Sequence, residues 1–127
     1  MTNEMSAKDF QNADKADLPI FVKWMDFVKW LVITVERLPK KVRFTLSDRM
    51  INLALDIVEN LVEARYSQSK ARILREANLR LEKMRILIRI CFESQLLSHQ
   101  SYKHAIILVN ETGRMLGGWI KQQRGGQ

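Results

Sequence analysis

Between Leu18 and Ile120, apolar residues return every three or four positions, the spacing that lines one face of a helix at about 100° per residue. The pattern is interrupted at Leu38-Pro39, at Tyr66-Ser67-Gln68-Ser69 and at Ser98, which predicts four helices joined by short breaks. Asp17 stands as N-cap of the first, with Pro19 in its first turn, where a missing N–H costs nothing. Its expected core seam is Leu18, Phe21, Met25, Val28, Val32 and Val35, with Trp24, Phe27 and Leu31 on a flank. Packing, rather than a ligand box, is the reading for these aromatics, because rings carry much of a core's buried area. The helix closes at about Leu38, since proline restricts the residue before it and has no N–H for the ladder.

Thr45 and Asp48 resemble a capping box, with Asp in place of the usual Glu or Gln, and open the second helix. Met50, Ala54, Ile57, Leu61 and Ala64 form its seam, widened by Ile51, Leu55, Val58 and Val62. The third helix begins at Lys70, with Ser67 or Ser69 to cap it, and runs to about Leu97; its seam is Leu74, Ala77, Leu81, Met84, Ile88 and Cys91. Ser98 caps the fourth, which carries Tyr102, Ile106, Val109, Gly113, Leu116 and Ile120 in one stripe and Ala105, Leu108, Thr112, Met115 and Trp119 in an adjacent one. Gly113, Gly117 and Gly118 each cost about 1 kcal/mol of helix propensity relative to alanine. Close approach of a neighbouring helix is the expected compensation. With no strand pattern and no internal repeat, the expected fold is all-α, an up-down-up-down four-helix bundle over residues 18–121. Residues 1–17 read as a disordered N-terminal arm and 122–127 as a flexible tail.

The third helix has more apolar surface than one bundle needs. Leu79, Ile86 and Ile90 line the side opposite its core seam, and a second stripe needs something to cover it. Another copy of the chain is the expected cover, with Trp119 of the fourth helix in the same oligomer interface. Between the two stripes lie Arg72, Arg75, Arg80, Lys83, Arg85 and Arg89.

Charge sharpens this picture. The 127 residues carry a net +7, but residues 1–17 are −2, which leaves +9 on the remainder. From 65 to 89 eight cations face only Glu76 and Glu82, and Lys40, Lys41 and Arg43 make a second basic cluster at the first corner. Such a surplus points to nucleic acid or another anionic partner. Local pairing of Glu82 with Arg85 and of Glu93 with Arg89 is the bland alternative, yet it leaves most of the surplus unmatched. Few aromatics interleave with these cations, so backbone phosphates or an acidic protein surface fit better than stacked bases. Other chemistry is thin. His99 and His104 are five apart, about 140° around a helix, and the carboxylates mark wet helix edges rather than an acid-base pair. Neither a GxGxxG, a GxxxxGK nor a GxSxG motif occurs, so no catalytic residue, metal or cofactor is expected. A single cysteine, no membrane-length apolar run and no signal-peptide pattern predict a cytoplasmic protein without a membrane partner.

The run Gly113-Arg114-Met115-Leu116-Gly117-Gly118-Trp119-Ile120 resembles the G-R-x-L-G-x-W-I signature of Avd, the accessory variability protein of diversity-generating retroelements. Met84-Arg85-Ile86-Leu87-Ile88-Arg89 is similar to the family's L-R-x-x-L-R, and Leu38-Pro39-Lys40 to its helix-ending I-P-R/K. Residues 38–64 also resemble the four-helix proteins encoded in ribosomal-RNA intervening sequences. The resemblance to Avd covers about residues 18–121. It implies a ring-shaped homopentamer of four-helix bundles without catalytic activity. Such a ring associates with a reverse transcriptase, binds RNA and DNA, and supports mutagenic copying of template RNA into cDNA. The family's functional arginines carry over as Arg85 and Arg89; Arg114, within the signature run, is a further candidate contact. One departure is the tail, where Arg124 is the sole cation after Lys121. Two other readings compete: a ring of the intervening-sequence type with an RNA-related role, and a small helical enzyme with an arginine-lined anion pocket.

Overall fold

The structure, a computed structural model, describes residues 18–125. Within them lie four α-helices and no strand: α1 (Pro19–Val35), α2 (Asp48–Tyr66), α3 (Lys70–Glu93) and α4 (His99–Gly125). Each helix packs against its neighbours in the chain, and α1 closes the bundle against α4, the arrangement of a four-helix bundle with short connections. Lys23 and Glu111 pair across the α1/α4 seam at 3.2 Å.

The predicted seams of α2 and α3 are buried at every position. In α1 the inward face differs from expectation: Ile20, Trp24, Phe27 and Leu31 are buried, whereas Phe21, Met25, Val28 and Val35 are half-buried and Val32 is exposed. Area decides the rotation. Trp24 and Phe27 are the largest fully buried side chains of this helix, they stack with centroids 4.6 Å apart, and the Trp24 indole N–H donates to the Ala54 carbonyl at 3.0 Å. In α4 the buried line is Ala105, Val109, Thr112 and Leu116, which runs between the two expected stripes. The Thr112 hydroxyl is satisfied inside its own helix by donating to the Leu108 carbonyl at 2.9 Å.

Several helix ends also differ. Asp17, read as the first N-cap, lies outside the described residues, as do 1–16 of the expected arm. Pro19 does occupy the first helical position. The expected capping box at Thr45 and Asp48 does not form. A 3-10 turn (Lys40–Val42) and a π turn (Arg43–Ser47) lead directly into α2, the Asp48 N–H bonds back to the Arg43 carbonyl, and Thr45 Oγ1 donates to the Val42 carbonyl. A chain that stays helical into α2 leaves no bare first turn to cap. By contrast, Ser98 Oγ does accept the Ser101 amide, at 3.0 Å. At the α2/α3 turn it is Ser67 Oγ that accepts an amide, from Ser69, while Lys70 Nζ donates to the carbonyls of Ala64, Arg65 and Ser67 at 2.8 to 3.2 Å. Lys70 thus closes the C-terminus of α2, where carbonyls lack helical partners. Helix α3 ends at Glu93 rather than near Leu97. Gln95 takes φ 64°, the Leu96 amide donates to the Cys91 carbonyl at 2.8 Å, and the Gln95 amide donates to the Phe92 carbonyl at 3.0 Å, a Schellman closure. At the other end of the chain, α4 continues to Gly125, past Gln122 where a tail was expected. Lys121, Gln122, Gln123 and Arg124 are all straight-chain helix formers.

Candidate partner-binding site

The cations of α3 are divided by the bundle into three groups. Toward α2, the Arg80 guanidinium donates to Asn60 Oδ1 at 2.7 Å and to Glu76 Oε1 at 2.9 Å, and Asn60 Nδ2 donates to the same Glu76 oxygen at 2.9 Å. Asn60 is buried, so this is a polar latch between two helices. Asn60 and then Arg80 hold the Glu76 carboxyl below the usual carboxylate range, with Arg72 adding a smaller contribution. Nη1 of Arg80 is accordingly engaged in the latch.

Toward α4 lie Arg85 and Arg89. Arg85 Nε donates to Asn110 Oδ1 at 2.9 Å, and its Nη1 pairs with Glu82. Its Nη2 lies over Gly113, where an added Cβ would stand 2.8 Å away. An open hollow of about 390 Å³ surrounds this guanidinium, lined by Asn78, Glu82, Asn110, Gly113 and Arg114. Arg89 Nε donates to Glu93 Oε2 at 2.9 Å, and that carboxylate raises the arginine's pKa further above its ordinary value. Both expected local pairs therefore form, and an external anion is not needed to relieve repulsion between the two arginines.

Outward, Arg72, Arg75 and Lys83 are exposed and form no salt bridge with a described residue. They flank Leu79, Ile86 and Ile90, which are 56%, 51% and 42% exposed. The stripe runs into a groove between α2 and α3 lined by Arg49, Asn52, Leu53, Asp56, Lys83, Ile86 and Leu87. Trp119 is not part of that face: it is half-buried beside a separate hollow formed with Leu18, Ile20, Arg65, Lys70 and Met115. Lys40, Lys41 and Arg43 are exposed on the α1/α2 connection and Arg114 on α4. The sequence-predicted cations thus do not converge on one patch.

Sequence reasoning missed the amides. Asn60 and Asn110 decide where Arg80 and Arg85 point, and the available signal was their placement one turn from seam positions of α2 and α4, where a polar residue faces a neighbouring helix. No three of His, Cys, Asp and Glu converge as metal ligands among the described residues, and none of the helices is long and apolar enough to cross a membrane. Cys91 is buried against Met50, its sulfur 3.9 Å from the thioether, and burial pushes its thiol pKa up. No curated protein matches the sequence. A family described as bAvd-like does match, over residues 20–123, a region that spans all four helices but for one residue at the start of α1 and two at the end of α4, and that holds the Arg85 hollow and the glycine-arginine run. The chain belongs to the bAvd-like family.

Proposed function

We propose that this protein is the non-catalytic accessory subunit of a diversity-generating retroelement: it associates with the reverse transcriptase, holds nucleic acid, and supports mutagenic copying of template RNA into cDNA. Family membership over residues 20–123 is the observation that carries the reading. The surplus of cations in α3 and at the α1/α2 corner supports an anionic partner, RNA with DNA as a second ligand. A cytoplasmic location fits such a partner, and the function calls for no cofactor.

The working form is a ring-shaped homopentamer, with the bundle over residues 18–121 as its repeating unit. Support comes from the outward stripe of α3, since three exposed branched side chains continuous with a groove match the core of a subunit contact better than a solvated face. Arg85 and Arg114 form the partner contact, joined by Arg89, Arg72, Arg75 and Lys83 in the surrounding field.

A reconstituted pull-down with the purified reverse transcriptase tests this. Arg85→Ala is expected to weaken capture at least about tenfold while circular dichroism stays at wild type. Arg85→Lys is expected to weaken it nearly as much, because a lysine cannot reproduce a guanidinium fixed through two of its nitrogens. Full capture by Arg85→Ala combined with Arg89→Ala would contradict the assignment.

A further inference from the structure

We propose that Gly113 is a positioning residue for Arg85: lacking a side chain, it seats that guanidinium between α3 and α4 and leaves Nη2 open to an anionic group of the partner. The proposal rests on the reading of Arg85 as a partner contact. Two of the three guanidinium nitrogens are committed, Nε to Asn110 and Nη1 to Glu82. Of the five N–H groups of an arginine, three remain, two of them on Nη2. That nitrogen lies over Gly113, where a Cβ would be 2.8 Å away, closer than real Cβ atoms come to any neighbour. An alanine there requires the guanidinium, the far end of a flexible side chain, to move aside, and the seat holds if that move costs Nε its bond to Asn110.

Contrast within the same helix singles out this position. Added Cβ atoms at Gly117 and Gly118 would meet nothing within 4 Å, and Leu81 Cδ1, the other neighbour of a Cβ at Gly113, is at an ordinary 3.9 Å. Gly113 is therefore reserved for one side chain rather than for the close approach of a helix backbone. Arg114, next to Gly113 in the chain, lines the same hollow, so a carboxylate or phosphate entering over the glycine comes beside a second arginine. Glu82 neutralises part of the charge of Arg85, which leaves direction rather than bulk charge as what the seat supplies.

The test is a double-mutant cycle on the full chain, Gly113→Ala and Arg85→Ala singly and together. In ¹H–¹⁵N spectra, the Arg85 Nε–H resonance, assigned by its absence from Arg85→Ala, is expected to move in Gly113→Ala to the position of solvent-exposed arginines. Alanine's better helix propensity is expected to raise Tm more in the Arg85→Ala background than in wild type. Capture of the reverse transcriptase by Gly113→Ala is expected to fall about tenfold, with no additional loss in the double variant. If Gly113→Ala fails to fold, Arg85→Ala is expected to restore folding. An unmoved Nε–H resonance, or equal Tm gains in both backgrounds, would overturn the seat. Undiminished capture by Arg85→Ala would instead remove the partner reading and the access role that rests on it, while the resonance and the Tm cycle still decide the seat.

Discussion

Gln95 is the one non-glycine with positive φ among the described residues, and it closes α3 where glycine is the usual choice. A side chain in that region costs roughly 1 to 2 kcal/mol, partly offset by the entropy glycine brings to the unfolded chain. Gln95→Gly is expected to stabilise the protein by about 0.5 to 1 kcal/mol, read as a higher urea midpoint at unchanged slope; a lower midpoint would mean the glutamine side chain holds the turn. Asn60 is the corresponding liability inside the bundle. Asn60→Ala is expected to cost about 1 to 3 kcal/mol at neutral pH, since it removes two hydrogen bonds from a buried latch. The folded pKa of Glu76 lies below its unfolded value, so its contribution is present above the unfolded carboxylate range near about 4.3 and is lost as pH falls through the lower folded value. The gap between wild type and Asn60→Ala is therefore expected to narrow in acid, and a pH-independent gap in urea titrations would contradict the latch. At this scale the sequence was legible for Ser98, whose cap chemistry is local, and opaque for Gln95, Asn60 and Lys70, whose roles depend on where the chain turns or which helix lies opposite.

Among the elements, α2 and α3 show how far periodicity reaches and α1 and α4 show where it stops. The seams of α2 and α3 stand apart from their wet edges, so period alone fixes the inward face. Helix α1 is apolar on too many sides for that. There, the stacked Trp24 and Phe27 and the indole bond to α2 choose the rotation, a choice made by the neighbour rather than by the pattern. In α4 the two stripes share the core, and the glycines of this helix have unlike surroundings. Gly113 meets Arg85; Gly117 and Gly118 meet open space. Gly117→Ala and Gly118→Ala are each expected to stabilise an isolated chain by about 1 kcal/mol. Thermal melts at low concentration read this directly, and destabilisation by either would show that something packs on that surface of α4.

For the whole molecule, the decisive features are an outward apolar stripe and a charge of +7 whose cations do not converge on one patch. Family membership was legible in the short runs around Arg85 and Gly113, and these residues meet at the α3/α4 seam. Which cations remain available was not legible, since that depends on Asn60, Asn110 and the carbonyls that hold Arg80, Arg85 and Lys70. Ile86→Asp and Ile90→Asp each place a charge where a subunit contact would exclude water, and are expected to shift the assembly toward smaller species in sedimentation. Unchanged sedimentation of both would mean that the stripe faces something other than another copy. The most direct test of the central claim is the native mass of the tagged protein purified gently from its host. The account predicts a particle containing five 14.9 kDa chains together with a reverse transcriptase and RNA. A bare 14.9 kDa monomer, with neither enzyme nor RNA at any salt concentration, would contradict it.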